Sequence, residues 1–180
     1  MKRREFIALI GGAAAAWPVA ARTQGAVNRP RVGYLFTSEK AEGQGLWEAC
    51  RQGLRELGYR EEENIILEPR WTEGHQEQLT SLVKELLGLN VAVLVTAATP
   101  ASLAAKVATN TTPIVFVAVA DPVGVGLVVS LARPGGNVTG LSLLTSDLSG
   151  KRLELLREIV RNISRVAILM NPDNESNTYF

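Results

Sequence analysis

The sequence predicts an α/β fold, a doubly wound parallel sheet with helices on its faces. Short apolar runs alternate with amphipathic segments at an even spacing, and Gly or Pro punctuates most of the changes between them. At 180 residues, 46% hydrophobic and 21% charged, the chain also carries enough apolar material for an ordinary globular core.

The elements follow in chain order. Residues 32–36 (Val-Gly-Tyr-Leu-Phe) form a buried-strand run that ends in polar Thr37-Ser38-Glu39. Over residues 45–57, Leu46, Ala49, Cys50, Gly53, Leu54 and Leu57 recur three and four apart, and Gly58 stops the helix they imply. Residues 64–68 give a second strand, and residues 78–87 a second helix with Leu79, Leu82, Val83, Leu86 and Leu87 on one face before Gly88. A third strand (91–95), a third helix (100–108) and a fourth strand (114–119) follow at the same interval. Residues 123–131 are expected as a shorter helix ended by Arg133-Pro134-Gly135-Gly136, and residues 137–141 as a fifth strand. A further unit then opens, with an amphipathic helix over 148–160 and a sixth strand over 165–170. Such alternation implies right-handed crossovers and a parallel sheet covered on both faces, with ligands expected at the carboxyl ends of the strands.

The first residues read as an address rather than as part of that sheet. Lys2-Arg3-Arg4, an apolar stretch over 6–16 and the small residues Val19-Ala20-Ala21 are the three parts of a secretory signal. The apolar stretch is shorter than the roughly 20 residues a membrane-spanning helix needs. Arg3-Arg4-Glu5-Phe6-Ile7 resembles a twin-arginine signal, although no Ser or Thr precedes the pair, so both that route and the general secretory route stay open. No cysteine lies between Met1 and Val27 to be acylated, so the processed chain is expected in the periplasm with no stable membrane insertion.

Composition narrows the chemistry. Lys2, Arg3, Arg4 and Arg22 against Glu5 account for more than the whole net charge of +1, which leaves a mildly acidic body with no basic stripe for nucleic acid. Cys50 is the only cysteine and His75 the only histidine, so no disulfide, zinc cluster or other cofactor is expected, and Ser- or Cys-based catalysis lacks its partners. No Gly-x-Ser-x-Gly elbow occurs, and neither Gly124-Val125-Gly126 nor Gly135-Gly136 makes a dinucleotide fingerprint after the first strand. The chain is therefore expected not to be an enzyme.

Several polar residues fall at predicted strand ends. Thr37 and Ser38 follow the first strand, where their hydroxyls suit either a ligand or the capping of the next helix. Thr99-Pro100 reads as N-cap and first residue of the third helix, whose free N–H groups suit a ligand carboxylate. Asp121 follows the fourth strand and suits a ligand ammonium or, equally, an Asp-Pro turn. Ser142 and Asn171 stand at the ends of the fifth and sixth strands. Trp47 and Trp71 are expected mainly in packing, and His75 as an exposed loop residue without a partner.

Beyond periodicity, Val32-Gly33-Tyr34-Leu35, Thr99-Pro100-Ala101, Pro113-Ile114-Val115-Phe116, Asp121-Pro122-Val123-Gly124, the run from Ala132 to Gly140 and Ser149-Gly150-Lys151-Arg152-Leu153-Glu154-Leu155-Leu156 resemble the ABC-transporter substrate-binding proteins related to tryptophan- and tyrosine-binding proteins. The resemblance implies a periplasmic-binding-protein fold of two α/β lobes with a small-molecule solute held between them, and ABC permease subunits as partners. It implies a signal peptide over 1–26, a first lobe over 27–141, a lobe crossing over 142–148 and the start of a second, truncated lobe over 149–180. The same lobes would serve an exported sensing module that presents solute to a receptor. Amino-terminal sequencing of protein from a periplasmic extract is expected to find a start between Arg22 and Val27. A start at Met1 would refute export with cleavage.

Overall fold

The computed structural model describes residues 29–143, 148–160 and 162–169, so the expected signal peptide, most of the expected lobe crossing and Asn171 lie outside the described residues. Five parallel strands form one sheet in the order β2-β1-β3-β4-β5. They are β1 (Arg31–Phe36), β2 (Ile66–Trp71), β3 (Val93–Ala97), β4 (Ile114–Val119) and β5 (Val138–Ser142). Helices α1 (Lys40–Glu56), α2 (Leu79–Gly88) and α3 (Thr99–Ala108) connect the first four strands, and α4 (Ser149–Ile159) follows the fifth. The expected doubly wound α/β architecture is therefore present.

Period-two burial along the strands makes two cores. On one face Leu35, Leu94, Ile114, Phe116 and Val138 pack with Val83 and Leu86 of α2 and Ala101 and Ala105 of α3. On the other, Tyr34, Phe36, Ile65 and Leu67 pack with Trp47 of α1. Fully burying a side chain such as Leu35 is worth about 1.5–3 kcal/mol, so each face is a substantial anchor. The second face carries an aromatic cluster: Phe36 stacks on Trp71 with centroids 5.3 Å apart, and Tyr34 meets Trp47 edge-on at 5.0 Å. Trp47 is accordingly a packing residue, as expected, and Trp71 is half-buried beside it.

Coverage of both faces, however, is complete only over half the sheet. Beyond β3 the α1 side is open, and Val117 of β4 and Leu141 of β5 are 37% and 71% exposed. These residues are register partners and so share that face.

Local chemistry explains where the elements depart from the expected ones. β2 begins later and runs through Pro69 because it is an edge strand, where a missing N–H costs no ladder bond. α1 starts five residues earlier than expected and includes Gly43, where a Cβ would stand 3.0 Å from both Trp71 Nε1 and Ser38 Oγ. The helix expected over 123–131 is a coil of tight turns. Val125 N–H donates to the Asp121 carbonyl and Leu127 N–H to the Pro122 carbonyl, but Gly126 takes φ +68° and ends the winding. Leu127 and Val128 still plug the core from that coil. The Gly135-Gly136 pair is needed because both residues have φ near +70°.

The strand expected over 165–170 is absent among the described residues. Residues 163–169 have no regular structure, and none of the five described strands pairs with them. α4 forms as expected, yet Leu153, Leu155 and Ile159 are exposed. His75 is exposed as expected but is not unpartnered, its Nδ1 lying 3.1 Å from Glu77 Oε1.

Two outcomes follow. A Cβ at Gly140 would lie 2.1 Å from the Phe116 carbonyl oxygen, a backbone atom that cannot swing away. Gly140→Ala is expected to lower unfolding free energy in urea by about 1–3 kcal/mol, mainly by disturbing the β4–β5 pair. Burial, followed by the hydrogen bond from Cys50, raises the Tyr34 phenol above its ordinary value. The folded state therefore holds that proton more tightly than the unfolded chain. Stability contributed by Tyr34 is full below about pH 10 and falls as pH rises further; Tyr34→Phe is expected to flatten that decline in alkaline denaturation curves.

Candidate functional site

In a βαβ unit the helix runs back against its strand, so the amino ends of α1 and α3 lie at the carboxyl edge of the sheet. The strand order reverses between β1 and β3, since the chain winds from β1 outward to β2 and then returns to the other side. A crevice outside the strand ends at such a reversal is the usual ligand position in open α/β sheets.

Thr37 and Ser38 leave β1 on one side of this point, and Ala98 and Thr99 leave β3 on the other. Asp121 follows β4 and Ser142 ends β5, so these five predicted positions lie along one edge in strand order. Asn171 lies outside the described residues.

The hydroxyl-bearing pair Thr37 and Ser38 is half-buried. Of the two roles their sequence suits, helix capping is not taken up: Glu39 is the N-cap of α1 and makes no side-chain cap bond. The Thr37 carbonyl instead accepts from Gln76 Nε2 at 3.0 Å, which ties the loop after β1 to the loop after β2.

At α3 the cap is Ala98 rather than Thr99, which is the first helical residue and is buried, with Pro100 behind it. Ala98 has φ 71° and ψ 165°, a conformation essentially reserved for glycine. Ala118 at the end of β4 also has a positive φ, 61°, where the β4–β5 register shifts between Val117 and Val119. Each such residue costs on the order of 1–3 kcal/mol, and both stand at the ends of adjacent central strands.

Asp121 is half-buried and makes the expected turn. Its Oδ1 accepts the Gly124 N–H at 2.8 Å, and a Cβ at Gly124 would collide with its Oδ2. The Ser142 hydroxyl donates to the Val119 carbonyl at 3.2 Å and so fastens the ends of β4 and β5 together.

Thr72, just after β2, escapes a sequence reading, whereas Trp71 beside it is expected mainly in packing. The buried atoms Trp71 Nε1 and Thr72 Oγ1 have no hydrogen-bond partner. Thr72 is hidden because the second strand is expected to end at residue 68. The signal that would have found it is its hydroxyl after an aromatic strand residue, in the same position relative to β2 as Thr37 is to β1.

Three open hollows of the described residues lie away from this edge. One of about 360 Å³ sits by Leu54, Tyr59 and Ile65, one of about 610 Å³ between α2 and α3, and one of about 520 Å³ by Arg29 and Asn90. Among the described residues no group of three His, Cys, Asp or Glu side chains could hold a metal ion. No helix among them is long and apolar enough to cross a membrane.

Comparison with known proteins identifies what such an edge belongs to. The family described as ABC transporter substrate binding protein matches residues 40–179. A tyrosine-binding protein of Clostridioides difficile (strain R20291) is 31% identical over 121 residues, which are 67% of this chain and 34% of that protein. The crystal structure of a conserved domain protein from Vibrio cholerae O1 biovar El Tor superposes with a TM-score of 0.75 at 33% identity, over 83% of this chain and 50% of that one. A domain from Streptococcus pneumonia crystallised in complex with L-Trp superposes with a TM-score of 0.59 at 31% identity, over 63% of this chain and 38% of that one. The chain thus spans between a third and a half of the length of these relatives. With the family match running through most of its residues, the chain belongs to the ABC transporter substrate binding protein family.

Proposed function

We propose that the chain is part of a periplasmic solute-binding protein that captures a small amino acid or related carboxylate and delivers it to the permease subunits of an ABC uptake system. The solute would lie on the carboxyl edge of the sheet, across the reversal between β1 and β3. The observation that carries this reading is the convergence there of the uncapping hydroxyls of Thr37 and Ser38 with the amino end of α3.

The chemistry suits a zwitterion. The first-turn N–H groups of α3 and its dipole favour a carboxylate. Asp121, further along the same edge, offers negative charge to an ammonium, and Ser142 offers a hydroxyl beside it. Relatives described as binding tyrosine or holding L-Trp favour an aromatic side chain on that zwitterion. A second lobe, to which Asn171 would belong, would supply the facing wall, exclude water and strengthen each polar contact.

Calorimetry on the complete gene product with L-Tyr and L-Trp tests the proposal, backed by native mass spectrometry for a co-purified solute. Thr99→Ala and Asp121→Asn are each expected to weaken binding roughly tenfold or more, the equivalent of one hydrogen bond to a charged group at about 1.5–3 kcal/mol. Asp121→Asn keeps an acceptor for the Gly124 N–H, whereas Asp121→Ala loses it and is expected also to cost on the order of 1 kcal/mol of stability. Binding by Asp121→Asn as tight as the parent's would reduce Asp121 to a turn residue. Binding of neither amino acid, with no solute co-purified, would remove the amino-acid assignment.

A further inference from the structure

Behind the proposed site lies a pair of buried hydroxyls to which it gives no direct role. Thr96 of β3 and Ser102 of α3 are both fully buried, and their oxygens are 2.9 Å apart. Ser102 Oγ is also 2.8 Å from the Ala98 carbonyl oxygen, which accepts the Ser102 backbone N–H as well. A carbonyl can only accept, so the Ser102 hydroxyl proton points at Ala98. A hydroxyl has one proton to give, so Thr96 is the donor to Ser102. The chain of bonds therefore has one direction, from Thr96 through Ser102 to the peptide of Ala98.

That peptide is the strained one. Ala98 carries φ 71° and ψ 165°, and its turn sends the chain from β3 into the first turn of α3. Its N–H is held too, by the Val117 carbonyl of β4 at 3.0 Å. An aliphatic pair at 96 and 102 would fill the same core space among Leu94, Ala101 and Ala105 with no donors to satisfy. What it could not do is add a second hydrogen bond to the Ala98 carbonyl beside the one from the Ser102 N–H.

We infer that Thr96 and Ser102 are positioning residues: they lock the Ala98 peptide in its left-handed setting and so fix the amino end of α3 against the β1–β3 crevice. This rests on the proposed solute role of that crevice for its effect on binding, but not for its effect on α3.

The test uses Ser102→Ala, Thr96→Val, Ala98→Gly and the double variant Ala98→Gly/Ser102→Ala in the complete gene product. Amide hydrogen exchange is followed without ligand, and binding of L-Trp and L-Tyr is measured by calorimetry. Ser102→Ala is expected to speed exchange at the Ser102-position amide and its successors in the first turn of α3 at least tenfold, with α2 unchanged, and to weaken binding at least fivefold. Thr96→Val, which leaves the Ser102-to-Ala98 bond in place, should do less. Adding Ala98→Gly, which makes the positive φ costless, should restore both readouts toward the parent. Unchanged exchange in α3, exchange raised equally in α2 and α3, or no restoration by Ala98→Gly would each overturn the inference. If the parent binds neither amino acid, the amino-acid role fails on its own, and the exchange comparison still decides the role of the pair.

Discussion

The fold turns on the register of β1. Its residues must serve two cores at once, with Tyr34 and Phe36 in the aromatic cluster and Leu35 in the aliphatic one, while Gly33 leaves room for Leu94, Leu86 and Val91. A slip of one residue would exchange the two sets and put rings against α2 and aliphatics against Trp47. β1 also pairs with strands on both sides, Val32 to Phe36 beside β2 and Val32 to Leu35 beside β3. Fixing β1 therefore fixes where the strand order reverses, and with it which two loops meet at the carboxyl edge. The position of the crevice is a by-product of packing decided several residues earlier.

At that edge the chain accepts local cost for placement. Ala98 and Ala118 adopt conformations suited to glycine at the ends of neighbouring strands, and Ala98 is held by bonds to β4 and α3. The Ser142 hydroxyl and the Leu143 N–H both go to the Val119 carbonyl, so the irregular end of β4 is also pinned. Thr37 and Ser38 are the contrast, lying between fixed neighbours with their hydroxyls uncommitted to a helix cap. An edge that is rigid in backbone and free in selected side-chain groups is what recognition of a small polar molecule requires.

Much of this was legible in the residues themselves. The apolar run over 114–119 became β4 with both ends as read, because its burial on a central strand leaves no competing pattern. Gly-rich and Pro-containing stretches were where reading failed. Gly43 fell outside the helix read over 45–57 but lies inside α1, since close packing of Trp71 needs the absent Cβ at Gly43. Val123 to Leu131 kept helical spacing, yet Gly126 broke it. At the site, the positions of Thr37, Thr99, Asp121 and Ser142 at strand ends followed from alternation alone. Their commitments did not, because whether Asp121 folds back on Gly124, or Ala98 rather than Thr99 caps α3, is settled by backbone angles that no spacing encodes.

The aromatic cluster also gives the protein an optical property. Of its three tryptophans, Trp17 falls in the expected signal peptide, and Trp47 and Trp71 are the two among the described residues. Their rings are 6.2 Å apart and nearly perpendicular, and the Lys40 ammonium lies 5.5 Å from the Trp71 ring. The two indoles sit together at the β1–β2 end of the edge. Light emitted by this pair would report on a single corner, the one joined through Gln76 and Thr37 to the crevice, and would be blind to the open β4–β5 face.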